Sequence, residues 1–322
     1  MTSWTPDILG EGWERTTFAL GHDEEGPVVA TLVRAPRDAL APDLDPRPAV
    51  LYVHGFNDYF FQTHLAEQWL RHGYDFFALD LRKCGRSMRS WQTPHYCTDL
   101  LEYSAELSRA ARLIKGELGH PSLVVMGHST GGLIASVWAN SVRDGRIVDA
   151  LVLNSPFFDL NVPWFQRVVS ARVLGAVAPV QPKRVVTHGL SAYSHRLHVA
   201  HGGRWEYDLS LKPPEGFPVR VGWLRAVRRA QAQLARGFAI TAPILVCTAQ
   251  ASGPNRFDNP YLDQQDTVLD IRQISDVAHR LGPHVTGVRI PGGIHDLSLS
   301  AERPRELFFE TIFGWLSTNV LV

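Results

Sequence analysis

Short apolar runs alternate along this chain with segments whose apolar residues recur at helical spacing, and that alternation leaves few folds open. Ala49-Val-Leu-Tyr-Val53 is followed by Leu65, Trp69 and Leu70 at helical intervals, then by Gly73 as a stop and by Asp75-Phe-Phe-Ala-Leu79. A continuous apolar run bounded by turn residues reads as a strand buried on both faces, and strand, helix, strand in this succession is a crossover between parallel strands. The pattern recurs. Val28 to Val33 reads as an earlier strand, Leu100 to Leu118 as a helix with Thr98 or Asp99 as cap, Ser122 to Met126 as a strand and Leu133 to Val142 as a helix. Ala150 to Leu153, Ile244 to Cys247 and Val285 to Ile290 complete the strands, and Glu306 to Leu316 is a closing helix. The expected fold class is α/β, a mostly parallel sheet flanked by helices.

The alternation breaks once. From Pro156 to about Ile240 no strand fits the series, and the segment mixes apolar patches (Val168, Val169, Val173, Leu174) with prolines at 213, 214 and 218 and a group of histidines. We read residues 156–240 as an inserted cap, and residues 1–155 and 241–322 as the core it covers. Ligands of open parallel sheets bind beyond the carboxyl ends of the strands, so this insertion is expected to lie over the site and shape its pocket. Within it, Trp164 and Phe165 either line an acyl pocket or anchor the cap.

Charge narrows the partners. Thirty-two Lys plus Arg balance thirty-two Asp plus Glu, so no net field concentrates polyanions and nucleic acid is not expected. Cys84, Cys97 and Cys247 are widely spaced with no CxxC, which indicates neither a zinc ribbon nor a disulfide framework and suits a reducing compartment. The first thirty residues are acidic with no apolar core for a signal peptide, and the longest apolar stretch, Val173 to Val180, is far short of the roughly eighteen residues a spanning helix needs. A cytoplasmic protein with no transmembrane segment is expected. No repeat of fixed period is visible.

Gly127-His128-Ser129-Thr130-Gly131 matches G-x-S-x-G, the tight strand-to-helix turn that presents a serine hydroxyl at the top of a sheet. The motif is weak alone and gains force from its setting: Leu-Val-Val-Met precedes it, and Leu133, Ile134 and Val137 continue as a helix. A serine hydroxyl near neutral pH needs a base, and the base needs an orienting carboxylate, in the chain order Ser, Asp or Glu, His. His295, in Pro291-Gly-Gly-Ile-His-Asp296 after the last strand, is placed to serve as base; His128, beside the serine, is bound by the turn to point elsewhere. For the acid, Asp258, Asp263, Asp266 and Asp270 follow the strand ending at Cys247. Thr267-Val-Leu-Asp270 matches a capping box for a helix through Ile271, Ile274, Ala278 and Leu281, which gives Asp270 a structural task and favours Asp266. The oxyanion hole requires preorganised N–H donors, expected from Thr130 directly after the serine and from Phe56 in the turn His54-Gly55-Phe56.

Taken together these residues resemble the monoacylglycerol lipase and lysophospholipase branch of the α/β-hydrolases, which includes serine aminopeptidase-like members. The resemblance spans roughly residues 28–155 and 241–318. His54-Gly55 is similar to that branch's HG turn, Asp80-Leu-Arg-Lys-Cys-Gly-Arg-Ser87 to its D-x-R-G-H-G-x-S segment, and Asp266-Thr-Val-Leu and Gly293-Ile-His295-Asp296 to its acid and histidine motifs. Lys83 and Cys84 stand where the branch has Gly-His, and the stretch from Ala249 to Asp266 is longer than its usual approach. The resemblance implies an α/β-hydrolase fold and hydrolysis of lipid-like or small acyl esters, with no metal and no organic cofactor.

Other readings compete. His188, His195, His198 and His201 invite a metal site, but no Asp, Glu or Cys completes a ligand set beside them and Gly202-Gly203 breaks the segment, so a polar cap loop is the simpler reading. Arg225, Arg228, Arg229 and Arg236 read as the solvated face of a helix near 222–236. Aminopeptidase action would need a cap carboxylate for the substrate's α-amine, for which Glu206, Asp208 and Glu215 are candidates. A ligand-binding hydrolase fold without catalysis is the third possibility.

Overall fold

The structure, a computed structural model, describes residues 2–36, 46–145, 147–159 and 177–320. In chain order its strands and helices begin with β1 (Thr5–Pro6), β2 (Glu14–Asp23) and β3 (Gly26–Arg34), followed by β4 (Ala49–Val53), α1 (Thr63–Arg71) and β5 (Asp75–Asp80). Next come α2 (Ser104–Ala111), β6 (Leu123–His128), α3 (Thr130–Ser141) and β7 (Ala150–Asn154). A second group holds β8 (Val185–Thr187), α4 (Ala192–Leu197), β9 (Val219–Arg220) and α5 (Val221–Arg236). The chain closes with β10 (Ile244–Ala249), α6 (Ile271–Ala278), β11 (Val285–Ile290) and α7 (Glu302–Asn319).

Among the described residues one sheet runs in the order β1-β2-β3-β5-β4-β6-β7-β10-β11. From β5 to β11 every pairing is parallel, and β3, β2 and β1 extend the β5 edge antiparallel. This is the α/β-hydrolase fold, with an inserted region between β7 and β10 that resembles a cap. The interior strands β4, β5, β6, β7 and β10 are buried along their whole length, which is why they read as unbroken apolar runs. Period-two alternation then divides their side chains between two layers. Ala49, Leu51 and Val53 face the layer made by α2, α3, α5 and α6. Val50 and Tyr52 face Leu65 and Trp69 of α1 and Phe308, Ile312 and Trp315 of α7.

Strand β2 was not legible as a strand. It buries Thr16 and Phe18 and exposes Thr17, Ala19 and their neighbours toward solvent, so its polar face hid the pattern that an interior strand displays. The helix expected over 100–118 starts as a tight turn at Leu100–Tyr103, runs as α2 and widens into a π-helical turn at Arg112–Glu117. Asp99 caps it: its carboxylate accepts from the Leu101 amide at 3.0 Å while Glu102 accepts from the Asp99 amide at 3.1 Å. Within 156–240 the short β8–β9 pair stands apart from the main sheet, and α5 packs Ala226, Val227, Ala230 and Leu234 into the same layer as α3. Lys183 ties the inserted region to the β2–β3 turn, its Nζ 2.9 Å from Glu25 Oε1. No helix among the described residues is long and apolar enough to cross a membrane.

In the segment after β5, Asp80 accepts from the Phe60 amide at 2.9 Å and pairs with Arg86 at 2.8 Å, and Arg86 reaches Asp7 at 2.7 Å. Lys83 sits at φ +58°, in the left-handed region where glycine is at ease. Its buried ammonium pairs with Asp23 and Glu25. Cys84 Sγ lies 3.1 Å from His95 Nδ1. Burial pushes the Cys84 thiol well up and pulls His95 down to about 3, so this is a neutral contact.

Candidate active site

Strand β6 ends at His128, and Ser129 turns the chain into α3 with φ +52° and ψ −121°. A non-glycine residue there stores roughly 1–3 kcal/mol of strain and persists only where the surroundings over-determine it. The Ser129 amide donates to the Asn154 carbonyl at 3.0 Å, and its own carbonyl accepts from Gly132 at 3.0 Å and Phe157 at 2.9 Å. Two glycines make the turn possible. A Cβ on Gly131 would overlap the carbonyls of Val53 and His54, and one on Gly127 would come within 2.7 Å of the Gly132 Cα.

The structure brings Ser129, His295 and Asp266 together. His295 Nε2 lies 3.0 Å from Ser129 Oγ, and its Nδ1 lies 2.9 Å from Asp266 Oδ2. Asp266 is fully buried, with Oδ1 accepting from the amides of Val268 and Leu269 at 2.8 Å each. A carboxylate acceptor on Nδ1 puts the ring hydrogen there and leaves Nε2 to accept the serine proton. The other acids are occupied elsewhere: Asp258 pairs with Arg256 and Asp263 with Arg196, both on the surface. Asp270 itself is the N-cap of α6, accepting from Arg272 at 2.9 Å. This corrects the expected Thr267–Asp270 capping box. The Asp266 carboxylate already holds the amides of Val268 and Leu269, so the helix starts one turn later.

The His54-Gly55-Phe56 turn abuts the serine, since a Cβ on Gly55 would sit 3.1 Å from the Ser129 Cβ. His54 Nε2 accepts from the Leu81 amide at 3.1 Å, so Nδ1 carries the hydrogen and donates to the Gly55 carbonyl at 2.8 Å. Across the planar peptide the Phe56 N–H then points the opposite way. Phe56 and Thr130 line the same cavity as Ser129 and His295, a space of about 550 Å³. Phe157, Phe217, Trp223, Leu224 and Val268 give it apolar walls. Trp164 and Phe165, expected there from sequence, lie outside the described residues. Sequence reasoning missed Phe217 and Trp223. Trp223 starts the apolar face of α5, a signal present in the periodicity, whereas Phe217 sits in a proline-rich loop with no period to mark it.

The histidines of the inserted region are engaged locally. His198 donates to the Tyr207 carbonyl at 3.1 Å and accepts from Ala200 at 3.0 Å; His195 stacks on His201; His188 lies 3.2 Å from the Gly216 carbonyl. Glu215 lines the cavity, while Glu206 and Asp208 are exposed away from it.

Bordering the same cavity lies a buried row of titratable groups: Lys212, Asp58, His128 and, behind them, Asp296. Lys212 Nζ is 2.6 Å from Asp58 Oδ1, and His128 Nδ1 is 3.7 Å from Asp58 Oδ2 and 3.8 Å from Asp296 Oδ2. Burial penalises the His128 imidazolium, but Asp296 and Asp58 outweigh it and hold the ring above its ordinary value. Burial likewise works against ionised Asp58, yet Lys212 and His128 hold its carboxyl well below the usual range. Asp296 is lowered in the same way, against burial, by His128 and the Ser298 hydroxyl.

The profile of one protein family, described as serine aminopeptidase, S33, matches residues 45–253. The monoacylglycerol lipase of Mycolicibacterium smegmatis is 29% identical over 226 residues, covering 66% of this chain and 73% of the relative. Among solved structures, a soluble variant of the monoglyceride lipase of Saccharomyces cerevisiae, in complex with a substrate analogue, shares the fold with a TM-score of 0.68 at 17% identity over 95% of this chain and 97% of that one. A thermostable carboxyl esterase of Bacillus coagulans does so with a TM-score of 0.66 at 15% identity over 97% of this chain and 100% of that one.

The raised His128 value has a consequence for stability. A histidine whose folded value lies above its unfolded one, about 6.5, contributes stability that is fully present below that pH and is lost as the pH rises through the folded value. His128→Gln should therefore lower the melting temperature more at pH 6 than at pH 9. Thermal melts of both proteins at the two pH values check this, and a gap that stays constant or widens with pH would contradict the charge assignment.

Proposed function

We propose, for a chain that belongs to the serine aminopeptidase, S33 family and is a serine hydrolase, that it cleaves carboxylic esters with apolar acyl groups, of the monoacylglycerol, lysophospholipid or small-ester kind. Ser129 Oγ attacks the ester carbonyl as His295 Nε2 takes its proton, and Asp266 orients the ring and stabilises the imidazolium. The Phe56 and Thr130 amides receive the developing oxyanion. His295 then gives its proton to the departing alcohol, leaving an acyl-enzyme that water, activated by the same imidazole, hydrolyses. The observation that carries this reading is the 3.0 Å contact of Ser129 with His295, itself 2.9 Å from Asp266, beside an apolar cavity. A volume of about 550 Å³ lies in the range of small-molecule sites. The relative named as a monoacylglycerol lipase supports the lipid-like choice.

As part of the same proposal, residues 156–240 act as the cap, with Trp164 and Phe165 as substrate-binding residues, and residues 1–155 and 241–322 as the core. A cytoplasmic location is favoured by three buried free cysteines. Aminopeptidase or amide hydrolysis on the same residues is the second reading, favoured by Glu215 at the cavity wall; ester and amino-acid amide substrates assayed side by side separate the two.

On p-nitrophenyl esters from acetate to palmitate, kcat/KM should rise from the shortest chain, by up to about 0.8 kcal/mol per buried methylene until the cavity is full. A steady fall from acetate would instead favour a small-ester or amide hydrolase. Asp266→Asn should cost on the order of 10³ to 10⁴ in turnover, whereas Asp270→Ala should leave turnover intact and cost about 1 kcal/mol of stability through the lost cap. Kinetics and melts of both variants check this, and reversed phenotypes would make Asp270 the acid.

A further inference from the structure

Lysine is rarely buried unless paired, yet the Lys212 side chain is only 8% exposed. It belongs to the inserted region, and it lines the cavity that holds Ser129. Its ammonium is committed to Asp58 Oδ1 at 2.6 Å and lies 5.0 Å from the centre of the Phe61 ring and 5.4 Å from that of Tyr207. Asp58 stands two residues beyond Phe56, in the turn that supplies the proposed oxyanion donor.

The neighbouring residues of that turn are held from the same side. Asn57 is a non-glycine residue at φ +56°, a conformation that needs external restraint. Its Oδ1 accepts from the Phe217 amide at 3.1 Å and its Nδ2 reaches the Pro213 carbonyl at 3.5 Å. The Tyr59 hydroxyl accepts from the Asp208 amide at 2.9 Å. Residues 57, 58 and 59 are thus each bonded to the inserted segment 208–217, while His54 holds the Gly55 carbonyl from the core side. The Phe56 amide is suspended between these two sets of restraints, and only one of them includes a charged, buried bond.

Resting on the esterase reading above, we propose that Lys212 is a positioning residue for hydrolysis: through Asp58 it holds the oxyanion turn, so that the Phe56 donor is in place only when the inserted region is seated on the core. Lys212 contributes little to ground-state binding of a neutral ester, because its ammonium is spent on Asp58. Its loss is felt in the transition state, where losing one oxyanion donor costs about 10² to 10³ in turnover and a displaced donor a part of that.

The test is steady-state kinetics of Lys212→Met and Lys212→Arg on p-nitrophenyl butyrate, with inhibition by a trifluoromethyl ketone of matching chain length. Lys212→Met should lower kcat about 10- to 100-fold with KM within about threefold, and weaken the ketone in parallel with kcat/KM. Lys212→Arg, which keeps the cation, should recover most of the loss. A folded Lys212→Met with wild-type kcat, or with a change in KM alone, would overturn the proposal, the latter pointing to a substrate-binding cation. If Lys212→Met does not melt cooperatively, the double variant Asp58→Asn with Lys212→Met, which leaves no unpaired charge in that bond, should show the same kcat deficit, and wild-type kcat in it would be equally fatal. A wild-type protein that neither hydrolyses the ester nor reacts with a fluorophosphonate would instead defeat the esterase reading, and this proposal with it.

Discussion

The close approach of the first turn of α3 to the end of β4 is the constraint on which the rest of the site depends. Gly131 stands against the carbonyls of Val53 and His54 with no room for a side chain, and that contact lets Ser129 rise above the strand ends at φ +52°. The strained turn is held by bonds from β7 and from the chain just beyond it, through the Asn154 carbonyl and the Phe157 amide. Three neighbouring parallel strands therefore cooperate to place one hydroxyl. The parallel order that puts β4, β6 and β7 side by side is thus also what brings the His54-Gly55-Phe56 turn, the serine and its supports to a single edge.

From the far side of the sheet order the same edge receives the other partners. Asp266 arrives on the loop after β10 and His295 on the turn after β11, strands paired in parallel register. Each is fixed by backbone donors or acceptors as well as by its side-chain partner: Asp266 by two amides, and the Ile294–His295 turn by the Ser300 hydroxyl at 3.1 Å. The buried row of Lys212, Asp58, His128 and Asp296 lies close by, with bases and acids alternating along it. Such a row is costly to desolvate and stabilises little on balance. Its members sit beside Ser129 and reach from core to inserted region.

Much of this architecture is legible in the sequence because interior parallel strands are buried on both faces and leave unbroken apolar runs. The strands at Ala49, Asp75, Leu123, Ala150 and Ile244 announce themselves in that way. The turn at Ser129 is legible because the strand before it and the helix after it frame the motif, and Asp266 is favoured because Asp270 has a task at the helix start, which it performs as the N-cap itself and not in a box with Thr267. What escapes has a physical reason in each case. Strand β2 shows a polar face to water, and the position of Phe217 is set by a proline-rich loop. Lys212 is buried by a partner 154 residues away in the chain, and no local pattern records a contact at that separation. The exchange of Gly-His for Lys83-Cys84 is explained only by the tertiary setting, where Lys83 finds two carboxylates and Cys84 a neutral imidazole.

The central claim is that Ser129 is the nucleophile, and covalent labelling tests it most directly. After incubation with a fluorophosphonate, peptide mass spectrometry should find the phosphonyl adduct on Ser129 alone, at one equivalent per chain, and Ser129→Ala should fold, stay unlabelled and lack ester hydrolysis. An adduct on another residue, or labelling of Ser129→Ala at the wild-type rate, would contradict the account.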